Sequence, residues 1–271
     1  MFKQNQLCPE FENPPVIETV LSVQFDVVPL LSTVHYGLFW QRLRDRFPVT
    51  QDYPSLPSAI EEQKDSPLVP KMRFEAIDSF SPQRLWMLNE KNTEMIQVQN
   101  DRFIKNWRRI DGNEYPRYAA SIKPAFERDF KEFKRFIADE RLGEIRIIQC
   151  EVTYVNHIIV GEGWNDLAEI DKVFVNMNQT DTNGFPERAE DYAWRSRYPI
   201  LGSKKEWTGR LHVDVQPATS IKDNKAMYVM TLTARGMCGN NFDFFDIGHE
   251  SIVKSFKNLT TPNMHKIWEE K

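Results

Sequence analysis

The chain is 271 residues long, 41% hydrophobic and 27% charged, with a formal net charge of -4 and a pI near 5.8. These values describe a folded protein of one large or two small domains and exclude a disordered chain; no apolar run approaches the roughly 20 residues of a membrane-spanning helix. A mildly acidic chain does not draw nucleic acid by its overall field, so any such binding needs a local basic patch.

The first dozen residues read as a loose arm ending at Asn13-Pro14-Pro15, with none of the apolar core of a secretory signal. Residues 16–28 are β-branched and alternate, which predicts a strand stopped by Pro29. Ser32 or Thr33 then caps a helix to about Phe47, with Tyr36, Trp40, Leu43 and Phe47 on its buried stripe and Pro48 closing it. Residues 49–70 carry Pro54, Pro57, Pro67 and Pro70 and read as a long surface loop, a kind of segment that is either functional or simply mobile.

Strands are expected at 72–77 and 84–88, joined by turn-forming residues. The stretch 94–109 alternates without Pro or Gly and predicts one long strand, or two across a bend near Asn100-Asp101. Unbroken alternation puts Gln97, Gln99, Asp101, Phe103, Lys105, Trp107 and Arg109 on one face. The other face then carries Ile96, Val98, Asn100, Arg102, Ile104, Asn106 and Arg108. A helix over 115–140 follows, with Ile122, Phe126, Phe130, Phe133 and Ile137 as its apolar stripe and Gly143 beyond its end.

The order then starts again: a strand over 145–160, a helix over 165–174, a loop over 176–186, and strands near 192–198, 208–216 and 226–235. A closing helix over 242–259 buries Phe245, Ile252, Val253, Phe256 and Leu259, and Thr261-Pro262 opens a last turn whose apolar side is Met264, Ile267 and Trp268. The expected fold class is α+β. Two pseudo-repeated β-α-β-β-β-α units, 14–141 and 142–271 behind the 1–13 arm, form one antiparallel sheet backed by helices. Such a sheet leaves its uncovered face as a curved, polar surface.

Several segments carry a resemblance: Pro14-Pro-Val-Ile-Glu18, Ile96-Gln-Val-Gln-Asn-Asp-Arg-Phe-Ile-Lys-Asn-Trp-Arg108, Tyr115-Pro-Arg-Tyr118, Cys150-Glu-Val-Thr-Tyr-Val-Asn-His-Ile158 and Thr260-Thr-Pro-Asn-Met-His-Lys-Ile-Trp-Glu269. On these segments the chain resembles a sporadically distributed, uncharacterised family of prokaryotic proteins. The resemblance brings no catalytic residues with it. Its patchy distribution implies mobile genes of the kind found in defence or toxin-antitoxin loci. In fold, the expected architecture is similar to the saddle of TATA-binding-protein-like and helix-grip proteins, and fold alone does not deliver function.

Two constellations could carry chemistry. Arg102, Lys105, Arg108, Arg109 and Arg117 surround Trp107 and would hold phosphates while Phe103 and Trp107 stack on bases. Asp101, Asp111 and Glu114 offset part of that charge, so a strand end with solvated ion pairs is the competing reading. Arg210, His212, Asp214 and Gln216 share one strand face, and Asp214 lies near enough to set the His212 tautomer. An acid-base or metal role would need partners, and no HExxH, nucleophile elbow or second His at ligand spacing is present. His157 shares a face with Glu151 and Thr153, opposite Cys150, which argues against a joint metal site. Cys8, Cys150 and Cys238 are odd in number and widely spaced, which predicts free thiols in a reducing, cytoplasmic compartment.

The sequence thus leads to a non-catalytic binding or regulatory protein with no cofactor and no metal. Its polar sheet face, with Gln97, Gln99, Arg102, Lys105, Trp107, Arg108, Arg109, His212 and Asp214 as candidate contacts, meets a macromolecule. A protein partner is favoured over nucleic acid because the net charge is acidic; no membrane contact is expected, and a homodimer is a further option. The alternatives are a nucleic-acid binder using the Arg102–Arg109 face and a small-ligand binder or hydrolase centred on His212 and Asp214.

Overall fold

The computed structural model describes residues 8–63, 83–177, 187–239 and 242–271. Strands β1 (Val16–Phe25), β2 (Val49–Pro54), β3 (Gln83–Leu88), β4 (Glu94–Gln99) and β5 (Arg102–Arg108) belong to the first half of the chain. The second half supplies β6 (Ile147–Ile159), β7 (Trp194–Leu201), β8 (Trp207–Thr219) and β9 (Ala226–Met237). They form a 9-stranded sheet in the order β2-β3-β4-β5-β1-β6-β9-β8-β7, antiparallel at every junction. The helices are α1 (Thr33–Leu43), α2 (Lys123–Asp139), α3 (Ile170–Val173), α4 (Asp243–Leu259) and α5 (Pro262–Ile267). The fold is therefore α+β with an open antiparallel sheet.

One face of the sheet is covered by apolar contact. Phe103 of β5 meets Phe126, Phe130 and Phe133 of α2, and Phe39 of α1 packs on Phe133 and Phe136. Phe126, Phe130 and Phe133 are on the predicted stripe of α2, whereas Phe39 and Phe136 lie outside the predicted stripes and join them on one side of the sheet, where aromatic rings remove large areas from water. On α4, a Cβ added at Gly248 would stand 3.1 Å from Val152 and 3.2 Å from Ala234, so the helix lies close against β6 and β9. Met264 and Trp268 are buried and dock on the molecule's own core rather than standing out as an anchor.

Several expectations change. The unbroken alternation through 94–109 is corrected: Asn100-Asp101 is a two-residue turn, and Gln99 stands directly opposite Arg102. The turn resets the alternation, so Gln97 and Gln99 share the face opposite the helices with Arg102, Ile104, Asn106 and Arg108, while Phe103, Lys105 and Trp107 point at the helices. The start of the 49–70 loop is an edge strand, β2, paired with β3. The expected 165–174 helix is a 3-10 turn, Leu167–Glu169, followed by the single turn of α3. The strand expected at 72–77 lies outside the described residues, as does most of the 176–186 loop.

Residues 8–13 are not loose. Phe11 is buried, Glu12 N–H donates to the Glu269 carbonyl at 3.0 Å, and Lys271 N–H donates to Glu10 at 3.0 Å. The expectation of three free thiols is also corrected: Cys150 and Cys238 are joined, with Cα atoms 4.8 Å apart, and Cys8 is free. Cys238 lies just past β9, and antiparallel pairing of β6 with β9 brings it beside Cys150.

Candidate functional site

The face opposite the helices is built from alternate residues of every strand, and at its centre Ser22, Gln24, Gln97, Gln99, Arg102, Asn106 and Gln149 are buried. Register places Glu18, Ser22 and Gln24 of β1 beside Gln149, Glu151 and Thr153 of β6, and Arg235 of β9 beside Arg210 of β8. Arg84, Arg102, Arg108, Arg195, Arg197, Arg210 and Arg235 outnumber Glu18, Glu151 and Asp214, so an acidic protein carries a basic sheet face. Local ladders satisfy part of it. Gln97 donates to Asn106 at 2.8 Å and Asn106 to Glu18 at 2.7 Å. Burial pushes the Glu18 carboxyl up from its ordinary value.

Residues 56–62 lie across this face as a strap. Gln99 of β4 accepts from Leu56 N–H at 2.9 Å and donates to the Leu56 carbonyl at 3.1 Å. Arg102 of β5 donates to the Pro57 carbonyl at 3.1 Å, and Gln24 of β1 donates to Ser58 Oγ. Gln149 of β6 donates to the Ala59 carbonyl at 2.8 Å and accepts from Glu61 N–H at 2.7 Å. Extended backbone advances ~3.3 Å per residue and strands lie ~4.8 Å apart, so a reach of about 20 Å matches the roughly 19 Å from β4 to β9. The strap runs extended, across the strands rather than along them.

Its acidic end is held by cations. Glu61 hydrogen-bonds His212 and lies 3.6 Å from Arg210 and 3.8 Å from Arg235, and Arg235 also pairs with Glu151. Desolvation pushes the Glu61 carboxyl up, but the hydrogen bond from His212 and the charges of His212, Arg235 and Arg210 outweigh it and hold it below 4.5. Arg102 is 7% exposed; it also donates to Gln24 Oε1 at 2.9 Å, and its Nε has no partner.

Of the predicted residues, Gln97, Gln99, Arg102, Arg108 and His212 stand on the face opposite the helices, where Gln97, Gln99 and Arg102 are buried, and the strap touches Gln99, Arg102 and His212. Asp214 is on that face too but pairs with Arg195 and accepts from Gln216 at 2.7 Å; the partner of His212 is Glu61. Lys105 and Trp107 are corrected away from the face. Lys105 is 5% exposed and lies 2.9 Å from Asp129 and 2.6 Å from Glu94, while Trp107 packs edge-on against Tyr115. Arg109 sits past the end of β5, its backbone N–H donating to Ile17. Arg117 ties the N-terminal segment, donating to the Phe11 carbonyl at 2.9 Å.

Sequence reasoning missed Gln24, Gln149, Glu61 and Arg235. A signal for the strap was present in Pro54-Ser-Leu-Pro57, because proline fixes its own φ and biases the preceding residue to extended backbone. Among the described residues no group of three or more His, Cys, Asp or Glu is placed to hold a metal ion, and no helix is long and apolar enough to cross a membrane. Nothing matches this chain among protein-family models, curated proteins or solved structures.

Proposed function

We propose that this protein binds an extended, acidic stretch of a partner polypeptide on the sheet face opposite the helices, in place of residues 56–62, as a non-catalytic regulator. Residues 56–62 are the resident occupant of that site. The observation that carries the reading is the paired amide contact of Gln99 to both polar groups of Leu56, repeated by Gln149 on Ala59 and Glu61. A side-chain amide that both donates to and accepts from one stretch of backbone reads extended polypeptide independently of its side chains. The arginine cluster around Glu61 then adds a requirement for acid. An acidic partner segment also accounts for a basic face on a protein of net charge -4.

The same reading takes the fold as two pseudo-repeated units, β1 to α2 and β6 to α4, after the manner of TATA-binding-protein-like saddles. The strand order supports it, since β1 lies between β5 and β6, and β6 lies between β1 and β9. Each half thus closes its last strand against its first, and the first strands meet at the centre. Among the described residues the first half carries one strand more. A place in a mobile defence or toxin-antitoxin locus rests on the family resemblance alone.

The test uses the full chain with residues 56–62 replaced by Gly-Ser of equal length and a labelled peptide spanning residues 55–63. Saturable binding that weakens with salt and is lost with Gln149→Ala supports the reading. Tight binding of a mixed-sequence single-stranded oligonucleotide with no peptide binding overturns it in favour of nucleic acid.

A further inference from the structure

The helix-covered side holds a feature that this reading leaves unused. A cavity of about 150 Å3 lies between the N-terminal segment, residues 115–119, β6 and α4. Its apolar lining includes Val16, Leu232, Ile252, Val253 and Phe256. Its polar lining, which also includes Glu10 and Asn156, holds a connected chain: Tyr115 Oη lies 2.8 Å from Tyr154 Oη, which lies 2.9 Å from His249 Nδ1. The Tyr118 ring stacks on the His249 ring at 3.9 Å, and its hydroxyl donates to Asp246 at 3.0 Å, which fixes the imidazole in place.

Two properties of this chain define what it can recognise. It is neutral at pH 7: burial holds His249 down to about 4 and Tyr115 up to about 12. It is also reversible. With Nδ1 unprotonated, Tyr154 donates to His249, Tyr115 donates to Tyr154, and Tyr115 offers lone pairs. With the proton on Nδ1 every bond reverses, and Tyr115 offers its own proton. A ligand group that both donates and accepts, a hydroxyl, fits either arrangement. Arg117 lines the cavity, but its guanidinium is taken by the Phe11 carbonyl and Glu12, which leaves an anionic ligand without a partner.

We propose that this cavity binds a neutral, single-ring aromatic alcohol, with the ring among Val16, Leu232, Ile252, Val253 and Phe256 and the hydroxyl on the Tyr115–Tyr154–His249 chain. The size agrees, since apolar cavities of roughly 150 Å3 take up benzene.

The experiment titrates the full chain with phenol, toluene and benzoate by ligand-observed NMR and calorimetry. Phenol is expected to bind one to one with a Kd below about 1 mM. Toluene should bind roughly tenfold more weakly, the loss expected for one hydrogen bond, and benzoate not at all. Tyr115→Phe removes one hydroxyl and should weaken phenol about tenfold while leaving toluene unchanged; Val253→Trp fills the space and should abolish both. The proposal is overturned if the unmodified chain shows no saturable phenol binding at about 10 mM, a ceiling well above the Kd expected for so small a ligand. It also fails if phenol and toluene bind equally, or if Tyr115→Phe leaves phenol affinity untouched.

Discussion

Asp129 and Glu61 are both carboxylates ringed by cations, yet one lies beneath the sheet and the other above it. Asp129 is 0% exposed, held by Lys105 at 2.9 Å, Arg46 at 2.8 Å and Arg128 at 3.0 Å, on a helix whose phenylalanines form the core. The Glu61 side chain is 9% exposed, and its partners Arg210, Arg235 and His212 are 16%, 26% and 29% exposed. It rides on a strap tied down by side-chain amides. Similar chemistry does two jobs. Where a packed helix supplies the carboxylate, the ion cluster is part of the core; where a non-helical segment supplies it, the cluster ties that segment to the sheet.

The comparison breaks first at Asp129. Replacing it with Ala removes the buried partner of Lys105, which is 5% exposed and keeps only Glu94, and should cost about 3–5 kcal/mol in urea denaturation. A loss under about 1 kcal/mol, the level of an exposed pair, would show that Lys105 reaches water and that burial is not the distinction.

A buried neutral base gives the next largest effect. The folded-state pKa of His249 is depressed from 6.5 to about 4, so the unfolded chain takes up the proton first. Its contribution is intact above pH 6.5 and is lost as pH falls towards 4, by about 3 kcal/mol in all. Denaturation at a series of pH values checks this, and His249→Phe should flatten that part of the profile.

Glu61→Gln should cost only about 1 kcal/mol of global stability, because the amide keeps an accepting oxygen for His212 and Arg235 keeps Glu151. Its signature is local: amide exchange and protease cleavage within 56–62 should quicken while the core stays protected. Because the Glu61 carboxyl is held below 4.5, the unmodified chain keeps this anchoring above that pH and loses it as pH falls through the lowered value. Exchange in the strap that is the same in both proteins would remove Glu61 as its anchor.

The smallest effect belongs to an open surface pair. Arg42 reaches Asp139 at 2.7 Å and Glu140 at 3.4 Å, with Asp139 50% exposed. Asp139→Asn should change stability by less than about 0.5 kcal/mol, and that little should vanish in high salt.

Local periodicity carried a good deal of this protein in its sequence. Of the predicted stripes, Tyr36 and Leu43 on α1, Phe126, Phe130, Phe133 and Ile137 on α2, and Phe245, Ile252 and Phe256 on α4 did become buried, because apolar residues at helical spacing leave a helix one side to bury; Trp40, Val253 and Leu259 are half-buried, and Phe47 lies beyond α1. Alternation likewise located β1, β4 with β5, β6, β8 and β9. Gln97, Gln99, Arg102 and His212 were legible as polar residues of strands; that the first three are buried was not, nor was what they touch. A turn at Asn100-Asp101 decided that Lys105 and Trp107 face the core, and one residue of phase exchanges the two faces of a strand. Contacts between Glu61 and His212, Cys150 and Cys238, or Tyr115, Tyr154 and His249 join residues far apart in the chain, and the register of the sheet brings them together. Secondary structure was readable because its energetics repeat every few residues; the strap and the cavity exist only once distant strands have paired.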